Sequence, residues 1–321
     1  MSSHTPLVSI CIPAYNSVRY ISSTIDCLLT QSYTNLEIIV ADDGSTDGTL
    51  ELLQAITDER FKYISLPNRG AAAARNGAYE LSGGQYIKFM DSDDLMSPDS
   101  IASQLEKIID QPDCIASAKW GRFYKEDATD FKPAVETVWK DLPGIDWLID
   151  SLIGTGANMM QPGIFLLPRN IVEKAGRWNE SLSLIDDFDY MIRVISAGKM
   201  VLFCEEAVLM YRSGIANNLS GKNSPKHMDS AFRALNIGIE NLLKVQNNAR
   251  SRLACANTYK RWSYLFYPDY MEYYRAMEKS IDQLGGSNIM IVGSKWFNLL
   301  AKLIGWKNAK MIKIYLSGKQ E

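Results

Sequence analysis

The sequence predicts an α/β fold: a mostly parallel sheet flanked by helices, followed by a helical C-terminal extension. Three observations carry this reading. Four apolar, β-rich runs alternate with helical patterns before residue 100, and strand–loop–helix alternation builds parallel sheets covered on their faces. The polar clusters of that region fall at the C-terminal ends of the runs, where such sheets bind ligands. After Pro225 the apolar residues keep helical spacing alone.

Val8-Ser9-Ile10-Cys11-Ile12, ended by Pro13, reads as a buried first strand. Ile21, Ile25, Leu28 and Leu29 follow at helical spacing. Leu36 to Ala41 is a second strand that ends in Asp42-Asp43-Gly44-Ser45-Thr46-Asp47, and the next helix carries Leu50, Leu53 and Ile56. Phe61 to Leu66 is a third strand. Asn68-Arg69-Gly70 turns the chain into a helix from Ala71 to Leu81, whose alanines favour that state. Gly83-Gly84 breaks it before a fourth strand, Tyr86 to Met90. Farther on, Pro98 to Ile109 is expected to be helical, Cys114 to Ala118 a strand, and Gly121 to Val138 a loop or hairpin. Trp147 to Ile153 reads as a short helix, Gly154 to Asn158 as a flexible stretch, and Gly163 to Leu167 as a core strand.

Composition narrows the function. The chain is 46% hydrophobic and 22% charged, an ordinary globular balance, and its net charge of −3 offers no field for nucleic acid. The start, Met1-Ser2-Ser3-His4-Thr5-Pro6, shows no secretory pattern, and no apolar stretch reaches the roughly 18–20 residues needed to span a bilayer. Five scattered cysteines with no Cys-x-x-Cys spacing fit buried thiols in a reducing cytoplasm. Two histidines argue against a His-based metal centre.

Chemistry concentrates where the fourth strand ends, in Asp91-Ser92-Asp93-Asp94. Asp91 and Asp93 stand two apart, so on an extended chain both point the same way. Two converging hard oxygen ligands suit Mn²⁺ or Mg²⁺, particularly when phosphate oxygens complete the shell. The same residues also read as a solvated acidic turn before a helix starting at Ser97-Pro98. A nucleotide pocket needs a ring to stack the base, a carboxylate to accept from a base N–H, a cation for phosphate, and a metal. Tyr15, Asp42, Arg75 and the pair Asp91/Asp93 would supply these in turn. Neither Gly-x-Gly-x-x-Gly after the first strand nor Gly-x-x-x-x-Gly-Lys-Ser/Thr occurs, which disfavours a dinucleotide-binding oxidoreductase and a P-loop NTPase.

Four ordered segments now form one pattern: Val8 to Asn16, Ile39 to Asp47, Asn68-Arg69-Gly70 with Ala74-Arg75-Asn76, and Asp91 to Asp94. Together they resemble family 2 inverting glycosyltransferases of the GT-A fold. The resemblance spans about residues 7 to 220 and implies a nucleotide-sugar donor, usually a UDP- or dTDP-sugar, and a divalent metal. By that resemblance Pro13, Tyr15 and Asp42 hold the base, Arg75 approaches the base or the phosphates, Asp91 meets the ribose or the metal, and Asp93 meets the metal. Asn16, Asp43, Asn68 and Ser92 belong to the same nucleotide-sugar site. Asp43 and Asp47 also read as turn and N-cap residues.

A second cluster is Gly176-Arg177-Trp178-Asn179-Glu180, followed by Asp186-Asp187-Phe188-Asp189-Tyr190 and Arg193. It resembles the family's glycine-aromatic-acid-Glu turn and its Glu-Asp pair opening a helix, with Asp186 in place of the Glu and Asn179 in place of the more usual acid. The resemblance makes Asp187 the catalytic base, with Asp186 one residue away as the alternative, and Trp178 and Glu180 acceptor contacts. Acids at a helix start also follow from the macrodipole alone. Tyr211-Arg212-Ser213-Gly214, with Asn217, Asn218 and Ser220, resembles the closing segment of the catalytic domain. Gly214 stands where many relatives carry a histidine, which implies a more open, weakly held metal.

The domain expectation is a catalytic domain over 1–222, with a nucleotide-sugar half at 1–95 and an acceptor half at 96–222, and a helical extension over 223–321. In the extension, Trp296, Leu299, Leu300, Leu303 and Ile304 share a helical face surrounded by Lys295, Lys302, Lys307, Lys310 and Lys313. Such a face packs on the catalytic domain or a second copy in a homodimer, or makes peripheral contact with a membrane. The expected function is inverting sugar transfer to a saccharide or lipid-linked acceptor in cell-surface polysaccharide or glycolipid synthesis, on the cytoplasmic side. The rivals are a nucleotidyltransferase and an inactive nucleotide-sugar-binding or scaffold protein.

Overall fold

The computed structural model describes residues 5–157, 159–215 and 224–317. The chain forms two compact units, one of Met1–Leu148 with Met159–Gln246, the other of Ile149–Asn158 with Asn247–Glu321. In chain order the elements begin with β1 (Val8–Ala14), α1 (Ile21–Leu29), β2 (Leu36–Asp42), α2 (Thr49–Gln54), β3 (Phe61–Ser65), α3 (Ala71–Glu80), β4 (Tyr86–Phe89) and β5 (Leu95–Met96). Then come α4 (Ser100–Ile108), β6 (Cys114–Phe123), β7 (Lys132–Pro133), β8 (Leu142–Pro143), α5 (Gly144–Ile153), β9 (Phe165–Pro168), α6 (Arg169–Ala175), α7 (Asp186–Ala197) and β10 (Met200–Arg212). The helices α8 (Pro225–Val245), α9 (Ala249–Phe266), α10 (Met271–Gln283), α11 (Lys295–Ile304) and α12 (Trp306–Ser317) follow.

The sheet runs β3-β2-β1-β4-β9-β6-β10-β5, with β7 on β6 and β8 on β10. Strands β1 to β4 pair in parallel, as their alternation with helices requires. β9 lies antiparallel between β4 and β6, and β6 and β10 are again parallel. The α/β class is therefore as the sequence predicts. β10 is an addition that the apolar pattern hid. Its two apolar runs are split by Glu205-Glu206, and the register with β6 shifts between Cys204 and Val208, so a bulge absorbs the acids. β6 extends beyond Ala118 to Phe123 for the same reason: β10 gives it a partner along its whole length.

Alternate residues of β1 and β2 supply one core. Val8, Ile10 and Ile12 with Ile38 and Val40 pack against Ile21, Ile25 and Leu28 of α1 and Ile101 and Leu105 of α4. Lys88 of β4 is fully buried, donates to Gln104 Oε1 (2.8 Å) and the Phe165 carbonyl (3.3 Å), and burial pulls its pKa down to about 7. At the opposite end of the strands from the acid clusters, Glu37 accepts from Ser9 Oγ, Lys62 Nζ and the N–H groups of Gly83 and Gly84. Only glycine fits at 84, where a Cβ would stand 2.4 Å from Ser9 Oγ and 2.7 Å from the Leu7 carbonyl. All five cysteines are free thiols, four of them buried.

α8 belongs to the first unit, which reaches Gln246 and so passes the expected boundary at 222. Gly238 lets α8 lie close on α7: a Cβ there would meet the Phe188 ring at 2.7 Å and Ile192 Cδ1 at 3.0 Å. In the second unit, Phe297 and Ala309 form a small core with Ile291, against which Tyr264, Leu300, Ala301 and Trp306 pack. The expected single apolar face of α11 is divided. Leu300 turns inward with Phe297, whereas Trp296, Leu299 and Leu303 are 47%, 61% and 73% exposed.

Candidate functional site

The site lies in the first unit, at the C-terminal ends of β1, β2 and β4. β4 pairs with β1 only as far as Cys11, whose carbonyl accepts from Met90 N–H. Beyond that point β1 pairs with β2 alone, and the parting strands open a crevice. Pro13 sits on the unpaired side, where its missing N–H costs no ladder bond. Tyr15 follows and is 50% exposed.

Two loops are stitched together here. Asn16, at φ +50°, donates its N–H to Ser45 Oγ and accepts from Thr46 N–H at Oδ1 (2.8 Å). Ser17 N–H donates to Thr49 Oγ1, and Asp47 accepts from Val18 and Thr49 N–H groups. Asp42 is fully buried. Its Oδ2 accepts from Ser45 N–H (3.2 Å), while Oδ1 is buried with no partner among the described residues. An orphaned buried acceptor costs about 1–3 kcal/mol, which a ligand N–H would recover. Asp43 serves as the turn residue that the sequence also allowed: its two oxygens accept from the N–H groups of Arg69 and Gly70, both at 2.8 Å. It fixes the Asn68-Arg69-Gly70 turn. Asn68 is exposed on that turn.

Arg75 joins the two acid clusters. Its Nη2 donates to Asp91 Oδ1 (2.8 Å) and its Nη1 to Asp186 Oδ2 (2.9 Å). The guanidinium lies 4.5 Å above the Trp178 ring, which stacks on Tyr190 at 3.9 Å and meets Phe89 edge-on. Arg75 thus acts as a clamp between carboxylates of the two clusters. Trp178 is only 3% exposed, so the expected acceptor contact is corrected: its ring is the floor beneath Arg75. Asn76 holds that floor by imitating a strand, donating to the Trp178 carbonyl and accepting from Trp178 N–H, both at 3.0 Å. Asn76 also donates to Glu180, whose other oxygen pairs with Arg69, so Glu180 braces the turn.

The acidic strand end divides its labour. Ser92 Oγ is hydrogen-bonded to Ser17 Oγ (2.8 Å). Asp94 is fully buried and accepts from Arg212 N–H (2.9 Å) and Gln161 Nε2 (2.7 Å). Gln161 also reaches Asp91 (3.3 Å) and keeps a buried Oε1 without a partner among the described residues. Arg212 donates to the Asp93 carbonyl and lies between the rings of Tyr20 and Phe123. Asp93 makes no ion pair among the described residues. Burial and the neighbouring Asp91 push its pKa up to about 7.

Opposite them, α7 opens with Asp186 and Asp187. Ile185 just before is left-handed at φ +52°, a strained conformation for a β-branched residue. Ser230 Oγ on α8 accepts from Ser183 and Leu184 N–H groups and holds the approach to that turn. Burial raises the Asp186 carboxyl against the pull of Arg75. Asp187 pairs with no cation among the described residues, accepts only from Phe188 N–H (2.9 Å), and is pushed up to about 7 by burial and by Asp186. Asp189 is structural, paired with Arg193.

Among the described residues no group of three or more His, Cys, Asp and Glu side chains forms a ready metal cage. The donor set is Asp93, with Asp91 shared among Arg75 and Gln161. It fits a hard divalent cation whose remaining ligands come from substrate oxygens and water. Asn158, Asn217, Asn218 and Ser220 lie outside the described residues. Sequence reasoning missed Gln161, Ser17 and the bonding of Asn76; Gln161 shows in the sequence only as a polar residue before Pro162-Gly163.

A family model described as "Glycosyl transferase family 2" matches residues 9–174, just over half of the chain. TuaG of Bacillus subtilis, named for teichuronic acid biosynthesis, is 43% identical over 114 residues, covering 35% of this chain and 45% of TuaG. Hyaluronan synthase of Pasteurella multocida is 40% identical over 109 residues, 33% of this chain and 11% of that one. The match thus spans less than half the length of either curated relative. A crystal structure of S. aureus TarS 1–349 with UDP-GlcNAc superposes at a TM-score of 0.67, with 14% identity, over 87% of this chain and 80% of that one; this shows a shared fold.

Proposed function

We propose a function from one premise: the chain belongs to glycosyl transferase family 2. It transfers a sugar, with inversion, from a UDP- or dTDP-sugar to an acceptor hydroxyl in cell-surface polysaccharide or glycolipid synthesis. The observation that carries this reading is the Arg75 clamp, which draws the strand-end acids and the α7 acids to the two sides of one guanidinium.

The nucleotide base lies on Tyr15, and its N–H fills the open acceptor of Asp42. A Mn²⁺ or Mg²⁺ ion held by Asp93 and Asp91 would neutralise charge on the departing diphosphate. Asp187 takes the proton of the acceptor hydroxyl as that oxygen bonds to the anomeric carbon and the bond to the diphosphate breaks. A pKa near 7 keeps Asp187 basic enough for this task while about half of it is ionised at neutral pH. Asp91 and Asp186, tied through Arg75, hold the two sides in register. The relatives named for teichuronic acid biosynthesis and for hyaluronan synthesis support the acceptor class.

The test is a panel of nucleotide-sugars with Mn²⁺, read by thermal shift, hydrolysis and product anomeric configuration. One donor is expected to raise the melting temperature, since a ligand that binds only the folded state stabilises it. Asp93→Asn should lose the metal-dependent part of that shift. If no nucleotide-sugar moves the transition, the reading fails.

A further inference from the structure

The second unit presents a surface that sugar transfer does not use. From Leu284 to Leu316 the chain has five lysines and no arginine, aspartate or glutamate, against a net −3 for the whole chain. The α11–α12 hairpin within this stretch has two apolar sides. One forms the small core around Phe297 and Ala309. The other is outside: Trp296, Leu299 and Leu303 stand at i, i+3 and i+7 on α11, and Met311, Ile312 and Leu316 are exposed on α12. Lys295 and Lys302, seven residues apart, flank the α11 stripe, and Lys313 is exposed on α12. Lys307 and Lys310 are used internally, over the rings of Tyr274 and Tyr264.

We infer that the α11–α12 hairpin docks the protein on an anionic phospholipid bilayer, apolar stripe in the acyl boundary and exposed lysines at the headgroups. Charge selects this occupant. A self-complementary dimer would set the same lysines against their own copies with no acid in the stretch to answer them. An anionic headgroup layer answers all of them, and an apolar stripe with tryptophan and flanking lysines is the pattern of helices lying in the membrane interface. No helix among the described residues is long and apolar enough to cross a membrane. The inference stands apart from the transfer reaction, since none of these residues belongs to the proposed active site.

The test is cosedimentation of the full chain with vesicles of phosphatidylcholine, alone or mixed with phosphatidylglycerol, at low and high salt. Binding is expected with the mixed vesicles only, weakened by salt, and with the tryptophan emission shifted to the blue. Lysines near an anionic surface contribute about a fivefold gain in partitioning each, so Lys302→Ala with Lys313→Ala should lower it about 25-fold. The exposed double change Leu299→Ser with Leu303→Ser should abolish binding while the melting temperature and donor binding stay unchanged. No sedimentation with mixed vesicles at low salt would overturn the inference, as would undiminished binding by the serine variant. Lipid-free self-association that the serine changes abolish, without vesicle binding, would assign the surface to a second copy instead.

Discussion

Asp187→Asn separates the chemistry of the site from its cost to the fold. The asparagine keeps the shape and can still accept from Phe188 N–H, so the change removes mainly a charge. Burial and Asp186 push the native carboxyl from 3.8 to about 7. Between those values the folded chain keeps a proton that the unfolded chain has released. Stability therefore falls as pH rises through that window and levels off above it. At about 1.4 kcal/mol per unit of displacement, the full penalty at pH 8 is about 4 kcal/mol. Solvent at the rim and relaxation around the charge reduce it to about 1–2 kcal/mol. D187N should then melt a few degrees higher than the native protein at pH 8, at about 2–4 °C per kcal/mol, and show less than half of that gain at pH 5. Transfer should drop at least about a hundredfold, the contribution of a positioned base. The native rate should climb with pH below about 7 and reach a plateau above. Calorimetry at the two pH values, with initial rates, reads all of this. Equal melting at pH 8, or an equal gain at pH 5, would refute the buried-charge reasoning. Retained transfer would move the base to Asp186.

Asp42→Ala should weaken UDP binding by about 10- to 100-fold in calorimetric titration, the worth of a hydrogen bond to a charged group, without lowering the melting temperature of the nucleotide-free protein. Asn76→Ala strands the N–H and carbonyl of Trp178 beneath Arg75 and should cost about 2–3 kcal/mol in denaturant unfolding. Gly238→Ala drives a methyl into Phe188 and should cost about 1–3 kcal/mol, with a fall in transfer but no change in UDP affinity.

β1, β2 and β4 are legible because each is a buried, mostly apolar run before a turn, whereas the edge strand β3 buries only Phe61; the acids at the ends of β2 and β4 announce a ligand crevice. β10 is not, because Glu205-Glu206 interrupts its pattern and only the pairing with β6 shows that a bulge absorbs them. The acidic residues of the site are visible one by one, but the Arg75–Asp186 bond spans 111 positions and no local spacing encodes it. The resemblance makes Trp178 a contact residue; only the stacking on Tyr190 shows it as a floor. Asp43 shows the reverse limit. Its carboxylate beside Asp42 reads as a pair, yet backbone N–H groups from another loop claim one member.

α8 carries none of the acids, yet Ser230 secures the turn ahead of the base, Asn241 reaches Asp189, and Gly238 lets the helix sit against Phe188. The motifs end near Arg212, so a shortened chain cut there would look complete on paper. It would release the Ser183-Leu184 turn ahead of Asp187 while keeping every named acid in the chain. A minimal catalytic fragment has to retain α8, and an inert truncation ending before Pro225 would say nothing against the acids themselves.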